Sequence, residues 1–206
     1  MEPMIPRTPA PSRRTARAFS LLELLLVMVV LGILLAVTAP AIIAPLRGST
    51  LNQAGQLIGD QIALARQEAL TRNREVQVRF YYWATGPEAG WRAVQIWRVE
   101  TTDSDVTEVP AGRLRKLPAG VVISDNPSLS PLLDADPHVK GDAKIGDDAV
   151  TYAGFRFLPG GRTSSTVVAT NNFLTAQPIA DDPAAPKNFY TLQVDPLTGK
   201  VSVFRP

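Results

Sequence analysis

The chain has 206 residues, 45% of them hydrophobic, mean hydropathy near zero, net charge +2 and no cysteine. Those averages fit a folded protein of one or two small domains. They exclude a disulfide framework, a thiolate metal site and a cysteine nucleophile, and the lone His138 excludes multi-histidine metal centres.

Neither apolar nor basic residues are spread evenly. Residues 1–18 carry Arg7, Arg13, Arg14 and Arg17 against the single acid Glu2, with Pro3, Pro6, Pro9 and Pro11 between them. Repeated prolines exclude a helix there. Phe19-Ser20-Leu21-Leu22-Glu23 follows, and then Leu24 to Leu46 without a charge. Those 23 residues reach roughly 35 Å as a helix, enough for a hydrocarbon core of about 30 Å. Arg47 ends the run. The basic flank before the run predicts a cytoplasmic N-terminus, with the remainder across the membrane. A secretory signal would have a shorter apolar core and no use for Glu23 at its mouth.

Arg17-Ala18-Phe19-Ser20-Leu21-Leu22-Glu23-Leu24 resembles the processing site of type IV prepilins and type II secretion pseudopilins. The resemblance implies cleavage between Ala18 and Phe19 by prepilin peptidase and N-methylation of Phe19. It implies an assembly contact at Glu23 and a helix-bending proline at Pro40. Ala18 stands where glycine is usual in that family. The physical logic agrees, since a new amine at Phe19 and the Glu23 carboxylate are opposite charges in apolar surroundings, where pairing between neighbouring subunits offsets desolvation.

The helical pattern continues beyond the run. Leu51, Ala54, Ile58, Ile62, Ala65 and Ala69 keep three-and-four spacing, with Gln53, Gln56, Asp60, Gln67 and Glu68 between them. Asn73 is the expected stop. Residues 19–73 therefore read as one long helix, bent at Pro40 and Pro45 and loosened by Gly48, Gly55 and Gly59. Its first half is a membrane stem, with the transmembrane part at 24–46. Its second half is amphipathic and packs on a head.

From Glu75 the period changes to two. Val76, Val78, Phe80 and Tyr82 alternate with polar residues, and a turn through Gly86, Pro87 and Gly90 leads to a second strand across Ala93–Val99. Arg113–Leu117 and Val121–Ile123 flank Pro118-Ala119-Gly120 as strand, turn and strand. Residues 124–148 read as a long loop, Gly154–Leu158 as a strand, Thr166–Val168 and Phe173-Leu174 as weaker strands, and 176–187 as a loop. Phe189–Val194 and Lys200–Phe204 around Asp195-Pro196-Leu197-Thr198-Gly199 form the clearest hairpin. The expected architecture is α+β, with a leader at 1–18, a helix at 19–73 and an antiparallel β-rich head at 74–206.

Within the head, Phe155-Arg156-Phe157-Leu158-Pro159-Gly160-Gly161 and Thr198-Gly199-Lys200 resemble the H-type minor pseudopilins. Leu51–Gln56, Ala63–Arg66, Val78–Tyr81 and Asp195 to the end are also similar to the Verru_Chthon cassette protein D family. What these resemblances imply is a structural subunit of a type II secretion or type IV pilus-like filament. Its partners would be prepilin peptidase, other pilin or pseudopilin subunits, an inner-membrane assembly platform and lipid. It would sit in the inner membrane as a single-pass protein with a periplasmic head. No cofactor, metal or nucleic acid is implied.

Sharper chemistry finds little support. Asp134, Asp136, Asp142, Asp147 and Asp148 lack the spacing of a calcium loop and read as solvated charge, with His138 exposed among them. Tyr81, Tyr82, Trp83, Trp91 and Trp97 with Arg79, Arg92 and Arg98 could stack on single-stranded DNA, but strand aromatics more often pack across strands. A bitopic protein whose head binds a ligand or DNA without polymerising is the alternative. No carboxylate pair or Ser/His/Asp set marks an enzyme. Without residues 1–18, 17 basic side chains face 18 acidic ones, so the basic balance belongs to the leader.

Overall fold

The computed structural model describes residues 20–86, 89–101, 105–165 and 172–205, with the backbone alone at 36–47. The chain divides into one unit ending at Ile43 and a second beginning at Ala44. Helix α1 is Leu21–Arg72. Its first turn holds Glu23 and its last turn Arg72, the signs that the helix dipole favours at each end. The predicted stop is where the helix ends. Asn73 turns to φ 52°, and the Arg74 amide donates back to the Ala69 carbonyl at 3.3 Å. That closes the helix in a left-handed cap that asparagine tolerates.

Side chains of the predicted span at 24–46 are described as far as Leu35, and all of them are exposed. Among the described residues no helix is long and apolar enough to cross a membrane. The rest of that span, Pro40 included, is helical in backbone, and its side chains lie outside the described residues.

In the second unit the strands are β1 (Val76–Trp83), β2 (Gly90–Thr101), β3 (Val106–Pro110), β4 (Arg115–Lys116), β5 (Val121–Ile123), β6 (Lys140–Ile145), β7 (Asp148–Phe157), β8 (Phe173–Pro178), β9 (Tyr190–Val194) and β10 (Val201–Phe204). A 3-10 turn at Pro131–Asp134 precedes β6. The sheet runs β10-β9-β8-β5-β2-β1-β7-β6, all antiparallel, with β3 and β4 also on β2. Its two halves meet at a single pair, Trp91 opposite Ile123.

The core lies between the helix and one face of this sheet. Leu51, Ala54, Ile58, Ile62, Ala65 and Ala69 are fully buried, as their spacing predicts. They pack in one cluster with Val76, Val78, Phe80, Val94, Ile96, Phe155, Phe157, Leu174, Leu192 and Val194. Alternation along each strand puts every second residue on that face.

Several elements differ from the sequence reading. Residues 113–123 are not a hairpin, because β4 and β5 each pair with β2. Residues 124–148 are not all loop, since β6 and the start of β7 form a hairpin there, in register from Lys140–Ala153 to Ile145–Asp148. The reason is that β6 alternates exposed with half-buried residues, so no apolar face betrays it. Strand β3 was hidden likewise, being almost wholly exposed. Strand β8 extends through Pro178 into the predicted 176–187 loop. The weak strand at Thr166–Val168 and turn residue Pro87 lie outside the described residues.

Gly55 does not loosen the helix. A Cβ there would stand 2.3 Å from the Tyr190 ring, and one at Gly59 would stand 3.3 Å from Leu192. These two glycines let β9 lie close to the helix. Gly55→Ala should therefore destabilise the protein by about 1–3 kcal/mol through overpacking, although alanine is the better helix former by about 1 kcal/mol. Urea unfolding followed by near-UV circular dichroism would measure the change; a gain in stability would refute the close approach.

Candidate functional site

The N-terminal candidates come first. Glu23 stands exposed in the first turn of α1, and the Leu24 amide there donates to the Ser20 carbonyl at 3.1 Å. Its neighbours along the chain are apolar and exposed as far as Leu35. A carboxylate beside such a surface has no local cation among the described residues of its own turn. Ala18 and Phe19 lie outside the described residues.

The two head motifs converge in space. The β9–β10 turn is closed by the Asp195 carboxylate, which accepts from the Leu197 amide at 2.9 Å and the Thr198 amide at 2.8 Å. The Thr198 carbonyl accepts from Arg66 Nε of α1 at 2.7 Å. Gly199 has φ +67°, and a Cβ there would meet the Gly161 carbonyl at 2.3 Å and the Phe157 ring at 2.8 Å. Gly161, at φ +77°, in turn faces Leu70. Thus the Phe155–Gly161 and Asp195–Lys200 segments close over the helix together. Both glycines are required by conformation and by contact.

Arg156, between the two buried phenylalanines, points to the opposite face and joins three segments. Its Nε donates to Asp136 Oδ2 at 2.8 Å and its Nη1 to Glu75 Oε2 at 2.9 Å. The Asp136 carboxylate also accepts from Ser164 Oγ at 2.5 Å and the His138 amide at 2.9 Å. Burial by itself pushes the Asp136 carboxyl up, but Ser164, Arg156 and the His138 amide outweigh it and hold it below the usual carboxylate range. Asp136 is 2% exposed, so it is not the solvated loop charge that the sequence reading made it. Asp134 pairs with Lys140 at 2.5 Å, Asp148 accepts from Trp83 Nε1 at 3.2 Å, and His138 is exposed as expected. Among the described residues no group of three or more acids and histidines could hold a metal.

The aromatic and arginine residues of β1 and β2 are spent on packing. Arg79 is buried, with its guanidinium 4.5 Å from the Trp97 ring centre and 4.3 Å from that of Tyr152. It pairs with Glu108 of β3, and Gln77 Nε2 donates to Glu108 Oε1 at 2.7 Å. Trp97 Nε1 donates to the Tyr81 hydroxyl at 2.9 Å, and Tyr82 packs on Trp91 with ring centres 5.2 Å apart. Arg98 bridges Glu68 of α1 and Glu100. Of the set named for DNA stacking, Arg79, Arg98, Tyr81, Tyr82, Trp83, Trp91 and Trp97 have partners within the fold, and Arg92 is buried with its Nε unpaired among the described residues.

Two family matches now bear on this arrangement. A prokaryotic N-terminal methylation motif matches residues 13–39, and the type II transport protein GspH family matches residues 54–194. The chain belongs to the GspH family of type II transport proteins. It is a minor pseudopilin subunit of type II secretion, with the pseudopilin α+β fold. No curated protein matches it in sequence. The minor pseudopilin EpsH from the Type 2 Secretion System of Vibrio cholerae is similar at 12% identity over 76% of this chain and 97% of that one, with a TM-score of 0.43.

The GspH match begins at Ala54 and ends at Val194, so it spans the buried helix face from Ala54 onward, strands β1 to β9 and the Arg156 junction. As GspH-family pseudopilins are structural subunits, the work of these residues is to hold a shape. The family and its methylation motif make the chain a membrane-anchored component processed by prepilin peptidase, which associates with other pseudopilins.

The Arg156 junction was missed in the sequence, although Asp136-Pro137 marks a turn start and Arg156 between two phenylalanines marks the outer face. Asp136→Asn should cost about 3 kcal/mol at neutral pH, because it leaves Arg156 short of a buried partner. A carboxyl depressed in the folded state contributes stability above its unfolded pKa and loses it as pH falls through the folded value. The gap between wild type and Asp136→Asn should therefore be constant near neutrality and shrink as pH drops below the usual carboxylate range. Thermal unfolding across pH reads this; a gap that widens in acid would refute it.

Proposed function

We propose that the chain is cut between Ala18 and Phe19, that Phe19 is N-methylated, and that Glu23 then pairs with the amine of a neighbouring subunit in a short filament. The observation that carries this reading is the methylation motif over residues 13–39, set on a helix whose only acid before Arg47 is Glu23. After cleavage that carboxylate lies one turn from a cationic terminus. Both charges are desolvated beside exposed leucines and valines, so each gains by meeting the other across a subunit boundary. Pro40 bends the stem.

In this reading residues 1–18 are the cytoplasmic leader, the apolar run spans the inner membrane, and the head is periplasmic. The assembly platform and lipid receive the stem. The head acts as a structural subunit and not an enzyme, and selects other subunits by shape.

Intact-mass analysis of membrane-extracted protein should find a chain starting at Phe19 with one added methyl group. A chain starting at Met1, or one cut near Ala39, would refute processing at this site. Glu23→Val should leave membrane insertion intact. Losing one member of a desolvated charge pair costs about 2–5 kcal/mol, so co-purification with a partner pseudopilin should fall by about tenfold or more. Unchanged co-purification would refute the charge pairing.

A further inference from the structure

A sheet with free edges must protect them, because each edge presents unpaired amides and carbonyls to any passing strand. Among the described residues four strands have an outer edge: β6, β3, β10 and the two-residue β4, whose Arg115 and Lys116 are both charged and exposed. Strand β6 carries Lys140, Asp142 and Lys144, all exposed, and an incoming apolar strand would have to desolvate these charges. On β3 the Ala111 amide donates to the Ile96 carbonyl at 2.9 Å, which turns the backbone groups of Val106, Glu108 and Pro110 outward by alternation. Of these, the Val106 amide is capped by Asp105 Oδ1 at 2.8 Å, and Pro110 has no amide. Both edges are blunted.

Strand β10 is not. The Asp195 amide donates to the Lys200 carbonyl at 2.9 Å, and the Val194 amide points the other way, to Asn172 of the β8 side, at 2.7 Å. With Ser202 opposite Gln193 and Phe204 opposite Thr191, the amides of Ser202 and Phe204 face β9. Those of Val201 and Val203 face outward. Among the described residues no hydrogen bond reaches either outward amide. The strand has no charge from Val201 to Phe204, and Val203 and Phe204 are 49% and 53% exposed.

We propose that the outer edge of β10 receives an extended segment of a different protein chain, uncharged in its centre and acidic at its ends. The charge at each end decides the occupant. Lys200 and Arg205 flank the strand. Antiparallel pairing of Val201 with Val203 of a second copy would set Lys200 opposite Phe204 and beside Arg205 of that copy, gathering two cations at each end, which is repulsive. The acidic β3 edge of a second copy is capped by Asp105 and interrupted by Pro110 and cannot complete a ladder. A foreign strand with acidic ends meets neither obstacle. Main-chain hydrogen bonds from Val201 and Val203 supply affinity, and the flanking cations select the partner. This inference stands on the head alone and does not depend on processing at Phe19.

The test uses the full-length protein in detergent with a synthetic peptide of alternating valine and threonine, flanked by aspartates, and a lysine-flanked control. Without peptide, the Val201 and Val203 amides should exchange with solvent faster than those of Ser202 and Phe204. At a peptide concentration about ten times its dissociation constant, the aspartate-flanked peptide should slow their exchange about tenfold. The lysine-flanked peptide should leave it unchanged. Val203→Pro removes one outward amide and none that faces β9, so it should abolish binding while the thermal transition persists. Lys200→Glu, at an exposed turn position, leaves one cation and one anion at the ends of the strand and should erase the wild-type preference between the two peptides. Slow exchange at both amides before peptide is added, equal binding of both peptides, or binding unaffected by Val203→Pro would each overturn the proposal.

Discussion

The head depends on how closely α1 can approach the sheet. Six buried side chains from Leu51 to Ala69 form the contact, and three of them are alanines. Gly55 lies against the face of Tyr190 and Gly59 near Leu192. Small residues on the helix and large ones on the strands let the two layers interdigitate at interior density. The cost is helix propensity, about 1 kcal/mol for each glycine, which burial of the surrounding apolar surface offsets. From this contact follows the position of β9, and from β9 the position of the turn that Arg66 holds through Thr198.

The sheet itself is weakest where its halves meet, since β2 and β5 share a single residue pair. Polar contacts on its second face tie the larger half together. Arg156 ties the link between α1 and β1, through Glu75, to β7 and to the segment carrying Asp136, and Arg79 ties β1 to β3 through Glu108. Burial alone would raise the Glu108 carboxyl, but bonds from Arg79 and Gln77 reverse it and hold it low. Burial pushes the Tyr81 hydroxyl up, so it stays neutral among these groups. A buried arginine between two aromatic rings is satisfied on its faces by the rings and along its edge by the carboxylate. These networks serve the shape of a subunit whose task is to fit others.

The same division explains the edges. Charges, a proline and an aspartate cap guard β6 and β3, and β10 has none of these within the strand. In a protein built to assemble, protecting all but one edge confines main-chain pairing to that edge.

Much of this was legible in the order of residues. The processing string from Arg17 to Leu24, the uncharged run after it, the buried helix face, the Asn73 stop and the two clearest hairpins all depend on neighbours a few residues apart. Local spacing is enough to specify them, because period and turn chemistry act over that range. Strands β3 and β6 were not legible, as their pairing partners and not their own apolar pattern make them strands. Nor was the fate of Asp136 and Arg79. Whether a charge is solvated or buried depends on which distant cation or carboxylate the fold brings to it, 20 residues away for Arg156 and 29 for Glu108. The sequence by itself determined that an apolar stem carries a β-rich head. Only the tertiary structure decided which charges that head buries and which strand edge it leaves open, because both depend on contacts between segments far apart in the chain.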